Sequence, residues 1–405
     1  MAFVVFAAPA LSENATRMIE AVAGLEGVRL GVVTHDPAES LPPGLRRQVL
    51  HWRVDNVLDS AQLTAAVSAL AKQAGPVHRL FGAYEQLQVP LAEARERLGI
   101  AGMRAEVARN FRDKARMKTL LRNAGLPCAR HRLATASGEA WSLVQEVGFP
   151  LVIKPPAGAG AQATFRVDDA TGLEAALAET PPTPARPVLL EEYVTGDEHS
   201  FETISIGGRA VWHSLTHYIP SPLDVLRNPW IQWCVLLPRE VDDPRYDDIR
   251  AAGSRALEVL GMDTGLTHME WFRRRDGSVA ISEVAARPPG AQITTLVSRA
   301  HDIDFVAAWA RVMVEGVFEI PQRKYAVGAA FLRGQGSGQV AAVSGLEAAE
   351  RELGALVVDV KLPRPGQPQA QSYEGEGWVI LRHPETAIVE RALMRLVSLV
   401  QVQLA

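Results

Sequence analysis

Up to about residue 105, short apolar runs alternate with amphipathic stretches. FVVFAAP, RLGVVTHD, QVLHWRV and HRLFGAY read as strands, and the segments from Glu13 to Leu25, with Ser12 as cap, and from Ser60 read as helices between them. Strands joined by crossover helices predict an α/β domain with a doubly wound parallel sheet over 1–105. The next stretch, AEVARNFRDKARMKTLLRNAGLP, is charged and helix-favouring and stops at Gly125 and Pro127. FPLVIKP is then a β-branched strand carrying Lys154, and a second strand begins at Thr164 after a loop containing Gly158 and Gly160. A short helix over 171–180 and the rigid PPTPARP linker lead to VLLEEYV, which breaks at TGD before Glu198 opens another strand. Gly207 and Gly208 turn a hairpin into RAVWHSLTHYI, and residues 220–238, rich in proline and tryptophan, show no clean period and read as a long irregular loop. Helices from Arg245 to Leu260 and from about Asp304 to Glu315 flank the next hairpin. After Pro321, strands, a short helix and a last helix from Glu385 predict a small α+β domain over 316–405.

The hairpin lies in THMEWFRRRDGSVAISEVAARPPG, residues 267–290. With Asp276 and Gly277 at the two central turn positions, Arg275 pairs with Ser278 and the ladder brings Glu270 opposite Glu283. Opposed carboxylates repel unless something neutralises them. A divalent cation does so, and oxygen ligands on rigid strands suit Mg²⁺, which takes one or two carboxylates and leaves its other positions to water and phosphates. Arg287 brings a planar cation to the same end before Pro288 and Pro289 stop the strand. A solvated hairpin with two exposed acids is the other reading, because a one-residue slip moves both carboxylates to other faces.

Composition narrows the class. The 405 residues are 47% hydrophobic and 22% charged with a formal net charge of −4, as in a globular protein of several domains and without the basic excess that signals nucleic acid. Cys128 and Cys234 have no metal-ligand or disulfide spacing, which fits a reducing compartment. The apolar opening lacks a basic leader region and no apolar run is long enough to span a bilayer, so a cytoplasmic protein is expected.

Further chemistry is suggested along the chain. Lys154 in an apolar strand is costly unless it meets an anion or snorkels to the surface, and the glycines at 158 and 160 let backbone N–H groups approach phosphate oxygens. Lys114 and Lys118, four apart, share a helix face of the kind that is usually solvated. Glu85 follows a strand end where ligand crevices form, and otherwise reads as a surface acid. Trp230 and Trp233 line a pocket or anchor a loop, and His268 shares a strand face with Glu270, as a substrate-orienting group, a base or a packed structural residue.

Taken in order, these features resemble the ATP-grasp superfamily in its carboxylate–amine ligase branch, which includes L-amino acid ligases and is related to biotin carboxylase. The resemblance covers nearly the whole chain. It implies a pre-ATP-grasp domain over 1–105, nucleotide-binding lobes over 106–315 with a small lobe at about 145–200, and the C-terminal domain from 316. RDK at 112–114 and FPLVIKP match the two phosphate lysines, Lys114 and Lys154. EEYVTGDE matches the adenine linker, giving Glu191, Glu192, Tyr193 and Val194 for the base and Glu198 for the ribose. HMEW and SEVAAR match the magnesium ligands Glu270 and Glu283, with Arg287 as the transition-state arginine. The usual E-x-N-x-R pattern is broken by Ala285, which removes one metal ligand. The implied activity uses ATP and Mg²⁺, with Mn²⁺ as substitute, to join a small carboxylate, expected to be an amino acid, to an amine through an acylphosphate. No nucleic-acid or membrane partner is expected, and a homodimer is the commonest closed assembly. A carboxylase would need a biotin carrier segment, and a nucleotide-binding protein without turnover is the reading Ala285 would favour.

Overall fold

The computed structural model describes residues 1–157, 164–228 and 231–405. The N-terminal strands β1 (Ala2–Ala8), β2 (Val28–Thr34), β3 (Val49–Arg53) and β4 (Val77–Phe81) form a parallel sheet in the order β3-β2-β1-β4. Alternation along β1 covers both faces. Val4 and Phe6 pack with Met18 and Ile19 of the helix Glu13–Ala23, while Phe3 and Val5 pack with Leu63 and Val67 of the helix Ser60–Ala74. Phe81 contacts Trp309 edge to face at 5.8 Å and so joins this sheet to the helix Phe305–Glu315.

The charged stretch after 105 forms two helices, Ala105–Arg112 and Lys114–Asn123, because Asp113 leaves helical geometry and caps the second, its carboxylate accepting from Ala115 and Arg116 N–H. A four-stranded antiparallel sheet follows, from β5 (His131–Ala134), β6 (Leu151–Lys154), β7 (Phe165–Val167) and β8 (Val188–Glu192), in the order β5-β8-β6-β7. Leu151 and Ile153 pack on its helices Ser137–Val147 and Ala170–Glu179, which leaves Val152 and Lys154 on the opposite face.

An eight-stranded antiparallel sheet is the backbone of the rest. It contains β9 (Gly196–Ile206), β10 (Arg209–Ile219), β11 (Trp233–Leu237), β12 (Gly265–Arg274), β13 (Val279–Ala285) and β14 (Ala326–Leu332). The C-terminal segment adds β15 (Gly334–Gln335), β16 (Val340–Ser344), β17 (Val357–Lys361), β18 (Gly377–His383) and β19 (Gln401–Leu404). The large sheet runs β13-β12-β9-β10-β11-β14-β18-β17, and β15-β19-β16 form a small sheet beside it. Three sequence expectations change here. Residues 220–238 are no irregular loop throughout: they hold the short helix Pro222–Arg227 and β11, which is buried on both faces and therefore shows no alternation. A helix at Ile293–His301, entered through Ala291 and Gln292 at positive φ, was not signalled by its β-branched opening. The last strand, β19, was not signalled either.

Candidate active site

Glu270 does face Glu283, but not by the expected route. Gly277 alone of the turn residues has positive φ (+83°), and Gly277 N–H donates to Arg274 O at 2.9 Å, so the loop has three residues rather than two. That turn pairs Arg273 with Val279 and Trp271 with Ile281, one residue out of the expected register. A bulge at Ser282 then restores it, pairing Glu270 with Glu283 and His268 with Ala285. Without the bulge, Ser282 would oppose Glu270 and Glu283 would turn toward the core that holds Ile281 and Val284. The bulged Ser282 carbonyl accepts from Lys118 Nζ at 2.6 Å.

Four elements close on this spot. Lys114 Nζ donates to Glu283 Oε1 at 2.7 Å, Lys154 Nζ lies 3.0 Å from Glu191 Oε2, and Lys118 Nζ lies 3.5 Å from Glu191 Oε1. The face shared by Lys114 and Lys118 is therefore buried, not solvated: Lys118 is 0% exposed. Burial pushes its pKa down. Burial works against the charged form of Lys154 too, but the Glu191 and Glu283 carboxylates outweigh it and raise its pKa. Glu191, which burial would raise, is held below the usual carboxylate range by Lys118 and Lys154.

Glu202 was not singled out by the sequence. It is buried on β9, accepts from Ser200 Oγ (2.6 Å) and Thr216 Oγ1 (3.0 Å), and bonds His268 Nδ1 at 2.8 Å. His268 Nε2 lies 3.8 Å from Glu270 Oε1. Burial alone would lower the imidazole, but its bonds to Glu202 and Glu270 raise its pKa to about 9. A ring fixed on both sides by carboxylates suits an orienting group better than a base. Glu85 is also no surface acid. Buried at the end of β4, it accepts from Arg112 NH1 at 2.6 Å and Arg287 NH2 at 3.1 Å, fixing Arg287 at the site from the N-terminal domain.

One cavity is lined by Lys114, Lys154, Glu191 to Val194, Glu198, His268, Glu270, Glu283, Ala285 and Arg287. Within the stretch expected to hold the base, Glu191 pairs with strands on both sides, and Glu192 and Tyr193 N–H donate to Arg130 O (2.9 Å) and Pro150 O (3.2 Å). The open backbone is thus shorter than expected and centres on Val194. The Glu192 carboxylate pairs with Arg130 at 2.8 Å, and Arg166 lies over the Tyr193 ring at 4.4 Å. Burial, and then the Glu270 charge, raise Glu198 well above an ordinary carboxylate. Gly158, Gly160 and Trp230 lie outside the described residues, whereas Trp233 is on β11 and lines the cavity. Two opposed carboxylates, Glu270 and Glu283, fit a divalent cation. Among the described residues no cluster of three or more metal-ligating side chains exists, so water and phosphate oxygens would complete its shell.

The family model for the ATP-grasp domain matches residues 119–301. This chain contains an ATP-grasp domain. The match begins inside the helix that carries Lys118 and takes in both β12 and β13. Across the whole chain, the ATP-grasp architecture resembles that of an L-amino acid ligase from Bacillus licheniformis, with a TM-score of 0.78 at 19% identity over 100% of this chain and 99% of that one. The chain is 26% identical over 71% of its length to an uncharacterized protein, y4rH, of Sinorhizobium fredii. It is 24% identical over 62% of its length to an L-arginine-specific L-amino acid ligase of Bacillus subtilis. Those alignments span 60% and 62% of the two relatives' own lengths. Among the described residues no helix is long and apolar enough to cross a membrane.

Proposed function

We propose that the protein is an ATP-dependent carboxylate–amine ligase that forms an amide or peptide bond through an acylphosphate and releases ADP and phosphate. The observation that carries this reading is the meeting of Glu270, Glu283, Lys114, Lys154 and Arg287 in one cavity. Lys114 and Lys154 would hold ATP phosphates, the backbone near Val194 the base, and Glu198 the ribose. Glu270 and Glu283 would hold Mg²⁺, which supplies charge neutralisation at the transferring phosphoryl group. Lys114 and Lys154 are held in the cavity by Glu283 and Glu191, and Arg287 by Glu85. The substrate carboxylate oxygen attacks the γ-phosphorus and ADP departs. The amine nitrogen then attacks the acyl carbon, phosphate leaves with the C–O electrons, and the nitrogen gives up a proton. Arg287, held by Glu85, is set to stabilise the phosphoryl oxygens in both steps, and His268 to orient the acid. The two cysteines, Cys128 and Cys234, are buried free thiols.

The test is formation of ADP and phosphate from ATP and Mg²⁺ across a crossed panel of amino acids and other acids with amines, with Glu283→Ala as control. Turnover that needs both acid and amine and vanishes in the variant is expected. AMP as product overturns the acylphosphate route, and ATP binding that no acid converts to turnover overturns the ligase.

A further inference from the structure

The cavity is lined by two chemically different sets of residues. Lys114, Lys154, Glu270 and Glu283 make up one; Tyr218, Pro222, Leu223, Trp233, Ile293 and Tyr373 make up the other. The aromatic wall is built as a unit. Trp233 meets Tyr373 edge to face at 4.7 Å and Tyr218 at 5.6 Å, and it stacks on Phe331 at 5.0 Å. The indole N–H is already used, donating to Pro220 O at 3.1 Å. Burial, then the Glu270 charge, raise both phenols, Tyr373 to about 12, so the rings stay neutral.

The charged groups nearest this wall are already paired. His268 Nε2 lies 3.5 Å from the Tyr218 hydroxyl, but that ring is bonded through Nδ1 to Glu202 at 2.8 Å and lies 3.8 Å from Glu270. Glu374 Oε1 accepts from Ala291 N–H at 3.0 Å, and Asp224 Oδ2 accepts from Ser221 Oγ at 3.0 Å. Buried Arg333 donates to the carbonyls of Val225 (2.8 Å) and Ile231 (2.9 Å), and so fixes from behind the helix that carries Leu223. A charged side chain against these rings would lose hydration and could gain a counter-ion only by breaking the Glu202–His268–Glu270 set, whereas an apolar or aromatic one would bury its surface against rings already in place.

Resting on the ligase reading, we infer that one of the two joined substrates is an amino acid with an uncharged apolar or aromatic side chain, seated against Tyr218, Trp233 and Tyr373 with its carboxylate toward Arg287.

The experiment is calorimetric titration of the full chain, with Mg²⁺ and a non-hydrolysable ATP analogue, by phenylalanine, leucine, methionine, aspartate, glutamate, lysine and arginine. The apolar and aromatic members are expected to bind at least about tenfold more tightly than the charged ones. Leu223→Arg, at a partly exposed position, is expected to move the ratio of glutamate to phenylalanine affinity upward by about tenfold with binding of the ATP analogue unchanged. Charged members binding as well as apolar ones, no member binding, or an unmoved ratio in the variant overturns the inference. ADP formation with the same ligands is read separately. The binding preference without turnover sinks the ligase reading and leaves the pocket, while turnover with charged amino acids alone sinks the pocket and leaves the ligase.

Discussion

The two faces of β9, β10 and β12 treat the same residue type in opposite ways. On the cavity face, Ser200, Glu202, Thr216, His268 and Glu270 form a polar network, and His268 between two carboxylates is raised to about 9. On the other face, His199, Phe201, His217 and Trp271 pack together. His199 lies 4.7 Å from the His217 ring and 4.6 Å from that of Trp271. Among the described residues no carboxylate bonds His199 or His217 there, His199 Nδ1 and Trp271 Nε1 have no partner, and burial drives His199 down to about 3 and His217 to about 4. Strand alternation puts the two environments one residue apart. One face spends its contacts on holding charge in place and the other on packing, so changes to them should fail in different currencies.

The largest effect expected is on the cavity face. Glu270→Gln keeps the shape and removes the charge, and turnover in the ADP assay should fall by about 10²–10³-fold, the range seen when one electrostatic stabiliser is lost. The melting temperature should move little. Phe201→Ala on the packed face should do the reverse, costing about 3–5 kcal/mol in urea unfolding because the ring is 2% exposed, with turnover per folded molecule retained. A large activity loss at constant folded fraction in Phe201→Ala would break the separation of the faces.

Acid sharpens the contrast further. His199 and His217 have depressed pKa values when folded, so the unfolded chain takes up protons first as pH falls through about 6.5. Their neutral burial costs nothing above that pH, and stability drains away below it until His217 titrates near 4 and His199 near 3. At pH 5 the loss amounts to about 2 kcal/mol for each residue. Comparing urea midpoints at pH 7.5 and pH 5 in the parent and in His199→Phe/His217→Phe checks this. The double variant should lose most of that part of the pH slope, and an unchanged slope would remove these two residues from the account.

Much of this was legible in the residue pattern, for local reasons. The parallel N-terminal sheet follows from apolar runs alternating with amphipathic segments, and Lys154 was singled out because an ammonium in LVIK needs an anion. What stayed hidden depends on distant partners. Glu202 and His268 are 66 residues apart in sequence, and the one clue was Ser200 and Glu202 at alternate positions of a strand that is otherwise mixed in character. Lys118 and Glu85 looked like surface charges because the elements that bury them, β13 and the helix at 105–112, come from other parts of the chain. The hairpin is the most instructive case. The expected opposition of Glu270 and Glu283 is present, yet it rests on two compensating shifts, a three-residue loop and a one-residue bulge, neither of which the DG signal announces.

That compensation gives the smallest effect and the finest test. Gly277 has φ +83°, and a Cβ built there meets nothing within 4 Å, so Gly277→Ala adds only the conformational strain of an L-residue in the left-handed region, about 1–2 kcal/mol. If the turn set the register down to Glu283, such strain would reach both faces of the sheet. The bulge argues otherwise: Lys118 grips the Ser282 carbonyl at 2.6 Å and Lys114 grips Glu283 at 2.7 Å, so the register at Glu283 is fixed from the helix Lys114–Asn123 rather than from the turn. Gly277→Ala should therefore lower the urea midpoint slightly and leave turnover within about twofold, whereas Lys118→Met, far from the turn, should reduce it severely. Turnover lost in Gly277→Ala and kept in Lys118→Met would assign the register to the turn and remove the bulge from the design of the site.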